Sequence, residues 1–200
     1  MKGDDETYIL EVQFMQALNY SDELVKELYK NDQRYELIDG VIYLMSPVKK
    51  THAEVCGNLH REFSTYLKNK PCKIFLEPYA VYFDSKINKK STFVMPDIFV
   101  VCDSKKTTEK GCLGAPDLVI EILSSNLKHD TVRKFALYER NQVQEYWIID
   151  AYHQSVNVFL YNKETGKYNE EIQYLADFDE TITPAIFPDL EIKMADIFSE

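Results

Sequence analysis

The run Leu118-Val119-Ile120-Glu121-Ile122-Leu123 constrains this chain more than any other feature. A stretch so apolar and β-branched reads as a strand buried on both faces, in the middle of a sheet. Glu121 breaks the pattern, because an ionised carboxylate is expensive to bury unless it is paired or binds a metal. Pro96-Asp97-Ile98-Phe99-Val100-Val101 sets the same problem, with Asp97 leading directly into a second apolar strand. Acidic residues entering two adjacent central strands place two carboxylates near one point. Such an oxygen donor set suits a hard divalent cation such as Mg²⁺ (or Mn²⁺); a Lys or Arg from a covering helix is the structural alternative.

The rest of the chain supplies the frame. Phe14, Leu18, Leu24, Val25, Leu28 and Tyr29 have helix-like spacing, with Ser21 as an N-cap for the second piece. Apolar runs on either side of Asp39-Gly40 predict a β-hairpin over residues 34–45. Thr51-x-x-Glu54 reads as a capping box opening a helix whose Val55, Leu59, Phe63 and Leu67 form one apolar face. Strands are expected at 73–83, 92–102 and 117–123, a helix over about 130–140, and a buried strand over Glu145-Tyr146-Trp147-Ile148-Ile149-Asp150. Peripheral strands at 155–161 and 168–175 flank a turn at Gly166, and Pro184 and Pro188 break up the tail. The expectation is one α/β domain over 1–200, with a mixed α+β sheet flanked by helices. It divides into a helical part (1–34), a core (35–161), and peripheral strands with an acidic tail (162–200).

Cationic and acidic partners for Glu121 are available. Asp130, Lys134 and Tyr138 lie four apart and share one face of their helix. Lys134 either neutralises Glu121 structurally or orients a nucleophilic water. Glu36 alternates with Tyr35 and Leu37 in the hairpin and is a further candidate carboxylate. His52 opens the long helix, as a base, a phosphate-contacting donor or an ordinary histidine.

The formal charge of −10 seems to exclude a phosphate backbone as partner. By segment, however, residues 1–48 carry −6, 49–110 carry +5, 111–169 carry −1 and 170–200 carry −8. The deficit sits at the ends, so nucleic acid is not excluded, although the charge argues against tight, purely electrostatic binding. Cys56, Cys72, Cys102 and Cys112 include no Cys-x-x-Cys pair, and free thiols in a reducing, cytoplasmic setting are expected. His52-Ala53-Glu54 followed by Pro71-Cys72 begins like a zinc deaminase signature, but position 75 is Phe where a second Cys is required. No apolar run is long enough for a membrane helix, and the acidic N-terminus lacks a signal-peptide layout. A homodimer with Trp147 and the later aromatic strands at its interface is the prior expectation for assembly.

In order along the chain, several motifs resemble the bacterial restriction-endonuclease family long known as a domain of unknown function, a branch of the PD-(D/E)XK nuclease superfamily. They are Tyr35-Glu36-Leu37-Ile38-Asp39-Gly40, Met45-Ser46-Pro47, His52, Pro96-Asp97, Pro116 to Ser124, Asp130 with Lys134 and Tyr138, and Glu145 to Asp150. The resemblance spans roughly 8–198 and implies a restriction-endonuclease-like core and metal-dependent hydrolysis of DNA phosphodiesters. It implies Asp97 and Glu121 as Mg²⁺ ligands with the carbonyl of Ile122 as a third, and Lys134, Glu36 and His52 as further catalytic groups. Asp130 and Tyr138 would support them. The superfamily's usual Lys two positions after the Glu is replaced by Leu123, and Lys134 stands in the next helix instead. Ser125, Asn126 and Gln142 also depart from the family pattern; Asn141 is expected to take the left-handed helix-end conformation in place of the usual Gly. A catalytically silent nuclease-fold module binding nucleic acid or protein is the alternative, favoured by the missing Lys and the acidic charge. A hydrolase of smaller phosphate esters is a weaker third.

Overall fold

The computed structural model describes residues 17–19, 21–83, 92–123 and 128–199. In chain order its elements are β1 (Ala17–Asn19), α1 (Asp22–Lys30), β2 (Tyr35–Ile38), β3 (Val41–Leu44), α2 (Lys50–Leu67), β4 (Lys73–Leu76), β5 (Ala80–Phe83), β6 (Thr92–Val94) and β7 (Ile98–Val101). After a short 3-10 turn (Ser104–Lys106) come β8 (Thr107–Thr108), β9 (Gly111–Leu113), β10 (Leu118–Ile122), α3 (Lys128–Arg140), β11 (Glu145–Asp150) and β12 (Ser155–Asn162). The chain closes with β13 (Lys167–Tyr168), β14 (Ile172–Leu175), β15 (Thr181–Ile182), β16 (Ile192–Lys193) and α4 (Met194–Phe198).

The fold is mixed α+β, as the sequence predicts, but among the described residues the strands divide into two sheets of seven and a two-stranded ribbon. The first sheet runs β1-β3-β2-β6-β5-β9-β8; the second runs β13-β12-β11-β10-β7-β4, with β14 also on β12. β10 is central and fully buried, parallel to β11 and antiparallel to β7. Two expected strands are each cut in half and shared between the sheets. Residues 73–83 become β4 in the second sheet and β5 in the first, and 92–102 become β6 in the first and β7 in the second. Pro78 and Pro96 lie at these crossings and donate no ladder hydrogen bond there.

Alternation along the second sheet builds two cores. Ile98, Val100, Leu118, Ile120, Ile122, Trp147 and Ile149 face α2 and the C-terminal tail, meeting Val55, Leu59, Phe63 and Leu67. Phe99, Val101, Val119, Tyr146 and Ile148 face α3 and the first sheet, meeting Leu137, Tyr138, Ile38 and Tyr43. Trp147 is fully buried and packs edge-on to Phe63, so it is not available to an interface.

Local expectations meet mixed outcomes. The Asp39-Gly40 turn forms as read, both residues having the positive φ (52° and 82°) of a tight hairpin. Leu18 lies in β1, paired with Ile42, rather than in a helix, because an edge of the hairpin was open to it. The N-cap of α2 is Lys49, without a side-chain cap, so Thr51 lies inside the helix and the capping box does not form. Glu54 instead pairs with Lys50 at 3.1 Å. At the end of α3 it is Gln142, not Asn141, that takes the left-handed conformation (φ 62°). Cys72 and Cys102 are joined as a disulfide rather than free, since the Lys73–Val101 register sets them opposite each other. No helix of the described residues is long and apolar enough to cross a membrane.

Candidate active site

Glu121 shares the parity of Val119 on β10 and so faces α3. Lys134, one turn before Tyr138 on that helix, brings its ammonium to 3.1 Å from Glu121 Oε1 and 3.2 Å from Oε2. The Tyr138 hydroxyl donates to Glu121 Oε1 at 2.6 Å. The same ammonium lies 3.1 Å from Glu36 Oε1, which also accepts the backbone N–H of Met95 at 2.8 Å. Glu36, Glu121 and Lys134 are all buried. Burial pushes the Glu121 carboxyl up to about 8; Lys134 opposes that shift, and Asp97 and Glu36 reinforce it.

Asp97 stands where the second sheet comes apart. Pairing of β7 with β10 ends at Ile98–Ile120 as the chain leaves for the first sheet. Ile122 is left without a β7 partner for its N–H, and Asp97 Oδ2 accepts it at 2.7 Å. Asp97 Oδ1 lies 3.1 Å from Nε2 of His52, in the first turn of α2. His52 is buried, and its Nδ1 has no hydrogen-bond partner among the described residues. The N–H and C=O of a strand residue leave on the same edge. The Ile122 carbonyl therefore faces the side on which Asp97 stands.

The structure thus gathers Glu36, His52, Asp97, Glu121, Ile122, Lys134 and Tyr138 at one place. The side chain of Asp130 lies outside the described residues. Two site residues were not read from the sequence, Glu77 and Arg34. Glu77 ends β4 at the crossing between sheets, its side chain only 13% exposed and paired with the Arg34 guanidinium. Burial raises its carboxyl above the ordinary range; Arg34 opposes this, Asp97 adds to it, and Lys134 and His52 oppose it. A Glu before a Pro at the end of an apolar run was the available signal. Cys56 lies one turn after His52, and burial, Asp97 and Glu77 push its thiol up to about 12, so it stays protonated and unreactive.

A divalent cation fits the chemistry of these donors. Asp97 and Glu121 offer hard carboxylate oxygens, Asp97 on the Ile122 N–H and Glu121 on the Lys134 ammonium. Among the described residues no group of three or more His, Cys, Asp and Glu side chains converges as a metal cage. Mg²⁺ does not require one, because it keeps several waters and takes one or two carboxylates plus substrate phosphate.

Comparison with known proteins places these observations in a family. Residues 22–195 match the Uma2 family, described as "Putative restriction endonuclease". The chain is 29% identical over 133 residues to an uncharacterized protein of Synechocystis sp., covering 66% of this chain and 67% of that one. The crystal structure of "a putative nuclease belonging to DUF820" from Anabaena variabilis has the same fold. It superposes with a TM-score of 0.67 at 22% identity, over 84% of this chain and 91% of that one. Family match and fold agree, and this chain belongs to the Uma2 restriction-endonuclease family.

Proposed function

We propose that this protein is a divalent-metal-dependent endonuclease that hydrolyses phosphodiester bonds of DNA. The observation that carries the reading is that buried Glu36 and Glu121 share the Lys134 ammonium while Asp97 holds the N–H of Ile122, the residue after Glu121, at the point where two sheets part. Structural carboxylates are not usually assembled in excess of their cations, because like charges in a buried site repel. Asp97, Glu121 and the Ile122 carbonyl would hold Mg²⁺ or Mn²⁺. Bound there, the ion supplies Lewis-acid charge at the scissile phosphate and makes water more acidic.

The chain's own residues supply the rest. Lys134, fixed between Glu36 and Glu121, directs positive charge to the developing charge of the transition state and orients the attacking water. Tyr138 holds Glu121 in one rotamer, and Met95 N–H does the same for Glu36. His52 holds Asp97 through Nε2, which leaves Nδ1 to meet a phosphate oxygen or to move a proton.

The test is cleavage of supercoiled and linear DNA by the purified protein with Mg²⁺, Mn²⁺ or chelator. Metal-dependent cleavage that D97A and E121A abolish supports the reading; cleavage that persists in both variants sinks it. The silent-module reading is favoured by Leu123, which stands where the superfamily's Lys is usual. It predicts nucleic-acid or protein binding without turnover.

A further inference from the structure

We propose that Arg34 is a phosphate-binding residue of this site, docked on Glu77 when no substrate is present and transferred to a backbone phosphate when nucleic acid enters. The inference rests on the nuclease reading for its substrate class, and it assigns the residue that recognises that substrate's backbone.

Arg34 and Glu36 are two apart in one extended segment and therefore point to the same side of it. The Arg34 carbonyl accepts the N–H of Met45 at 3.0 Å, so the backbone of Arg34 continues the β2–β3 ladder and is fixed. Glu36 is buried beside Lys134, whereas the Arg34 side chain is 47% exposed. One row of side chains thus runs from the buried site to the protein surface and ends on a guanidinium. Its partner Glu77 is on the inside, close enough to Asp97, Lys134 and His52 to feel their charge.

An ion pair with one partner largely buried and the other at the surface is readily exchanged. The guanidinium loses little by moving to another anion, and a phosphodiester offers the same two-oxygen geometry as a carboxylate. Entry of a second cation beside Asp97 would also take over part of what Arg34 does for Glu77. The docked pair keeps Arg34 at the surface beside the site and spares Glu77 an unpartnered burial.

Binding of a labelled DNA duplex is measured by fluorescence anisotropy in Ca²⁺, as a salt series, for the full-length wild type, R34A, R34K and E77Q. Steady-state cleavage in Mg²⁺ is measured in parallel. R34A is expected to weaken binding and raise KM by about 10-fold or more, since a charge-assisted contact is lost. It should leave kcat within about 2-fold and lower the slope of log Kd against log salt by about 1. R34K should restore the slope but only part of the affinity, and E77Q, which frees Arg34, should tighten binding. Unchanged affinity and slope in R34A overturn the proposal, as does failure of the wild type to bind DNA. If R34A does not fold, the salt slope of R34Q decides in the same way. A wild type that binds but never cleaves refutes the hydrolase reading alone, and the slopes still decide for or against Arg34.

Discussion

Glu121 and Glu145 are both buried carboxylates on neighbouring strands of the same sheet, on opposite faces and in opposite circumstances. Glu145 faces the C-terminal tail. Its oxygens accept from the N–H of Ala185 at 3.0 Å, the N–H of Ile186 at 2.9 Å and the Trp147 indole at 2.7 Å. Burial raises its pKa and those three donors pull it back down. Among the described residues Glu121 is held by a cation and a phenol rather than by backbone donors, with Asp97 and Glu36 pushing against it. One carboxylate is satisfied by fixed neutral dipoles and ties the tail to the sheet. The other shares an ammonium with Glu36, and burial together with its acidic neighbours raises its carboxyl to about 8. A buried acid is thus a sign of chemistry when its neighbours leave charge unbalanced, and a sign of architecture when they do not.

That contrast can be broken most directly at the level of turnover. E121Q is expected to lower DNA cleavage by about 10³-fold, ~4 kcal/mol of transition-state stabilisation, while E145Q leaves kcat within about 3-fold of wild type. Equal losses in the two variants, measured per folded molecule, would erase the distinction. Stability should respond the other way round. E145A strands three buried donors and is expected to cost about 3 kcal/mol in urea unfolding, with the tail released to proteolysis at Lys193. E121Q mimics the protonated carboxyl that burial favours and should change stability by less than about 1 kcal/mol at neutral pH. A smaller effect sharpens the comparison through pH. The folded-state pKa of Glu121, about 8, lies above its ordinary value of 4.5, so the native state holds the extra proton between them. The stability this contributes is complete below 4.5 and is lost as pH rises through about 8. Wild-type stability should therefore decline by about 1 kcal/mol or more across that window, and E121Q should flatten the decline; an unaltered pH profile would contradict the unbalanced-charge description.

Much of this was legible in the sequence wherever a single segment carried the signal. Glu121 is anomalous within its own strand, and Asp39-Gly40 specifies its turn by local backbone preference alone. The i, i+4 spacing places Lys134 and Tyr138 on one helical face, and both do reach Glu121. What stayed hidden depends on which sheet a half-strand joins. Residues 73–83 read as one strand, and the local signal that the chain changes sheets there is only the proline after Glu77. Glu77 lies in the middle of that expected strand and carries no other mark in the sequence. The Cys72–Cys102 pairing is hidden for the same reason, since it follows from the register of β4 on β7. His52 and Asp97 lie 45 positions apart, and only packing of α2 against the second sheet brings them to 3.1 Å. Glu145 illustrates the converse, reading as a strand's first residue although it is fully buried.

The two crossings between sheets also govern how the chain can tolerate changes in length. Glu77 and Asp97 each occupy the residue at which a strand exchanges one sheet for the other, and Glu77 N–H donates to Asp97 O at 3.4 Å, tying the two crossings together. An inserted or deleted residue at either crossing would rotate a carboxylate away from the site and slip the register of two strands in two sheets at once. Such events should be silent at surface turns such as Asn162–Gly166 and destructive at 77–79 and 95–97. Deletion scanning of these short windows would map the site without reference to any reaction.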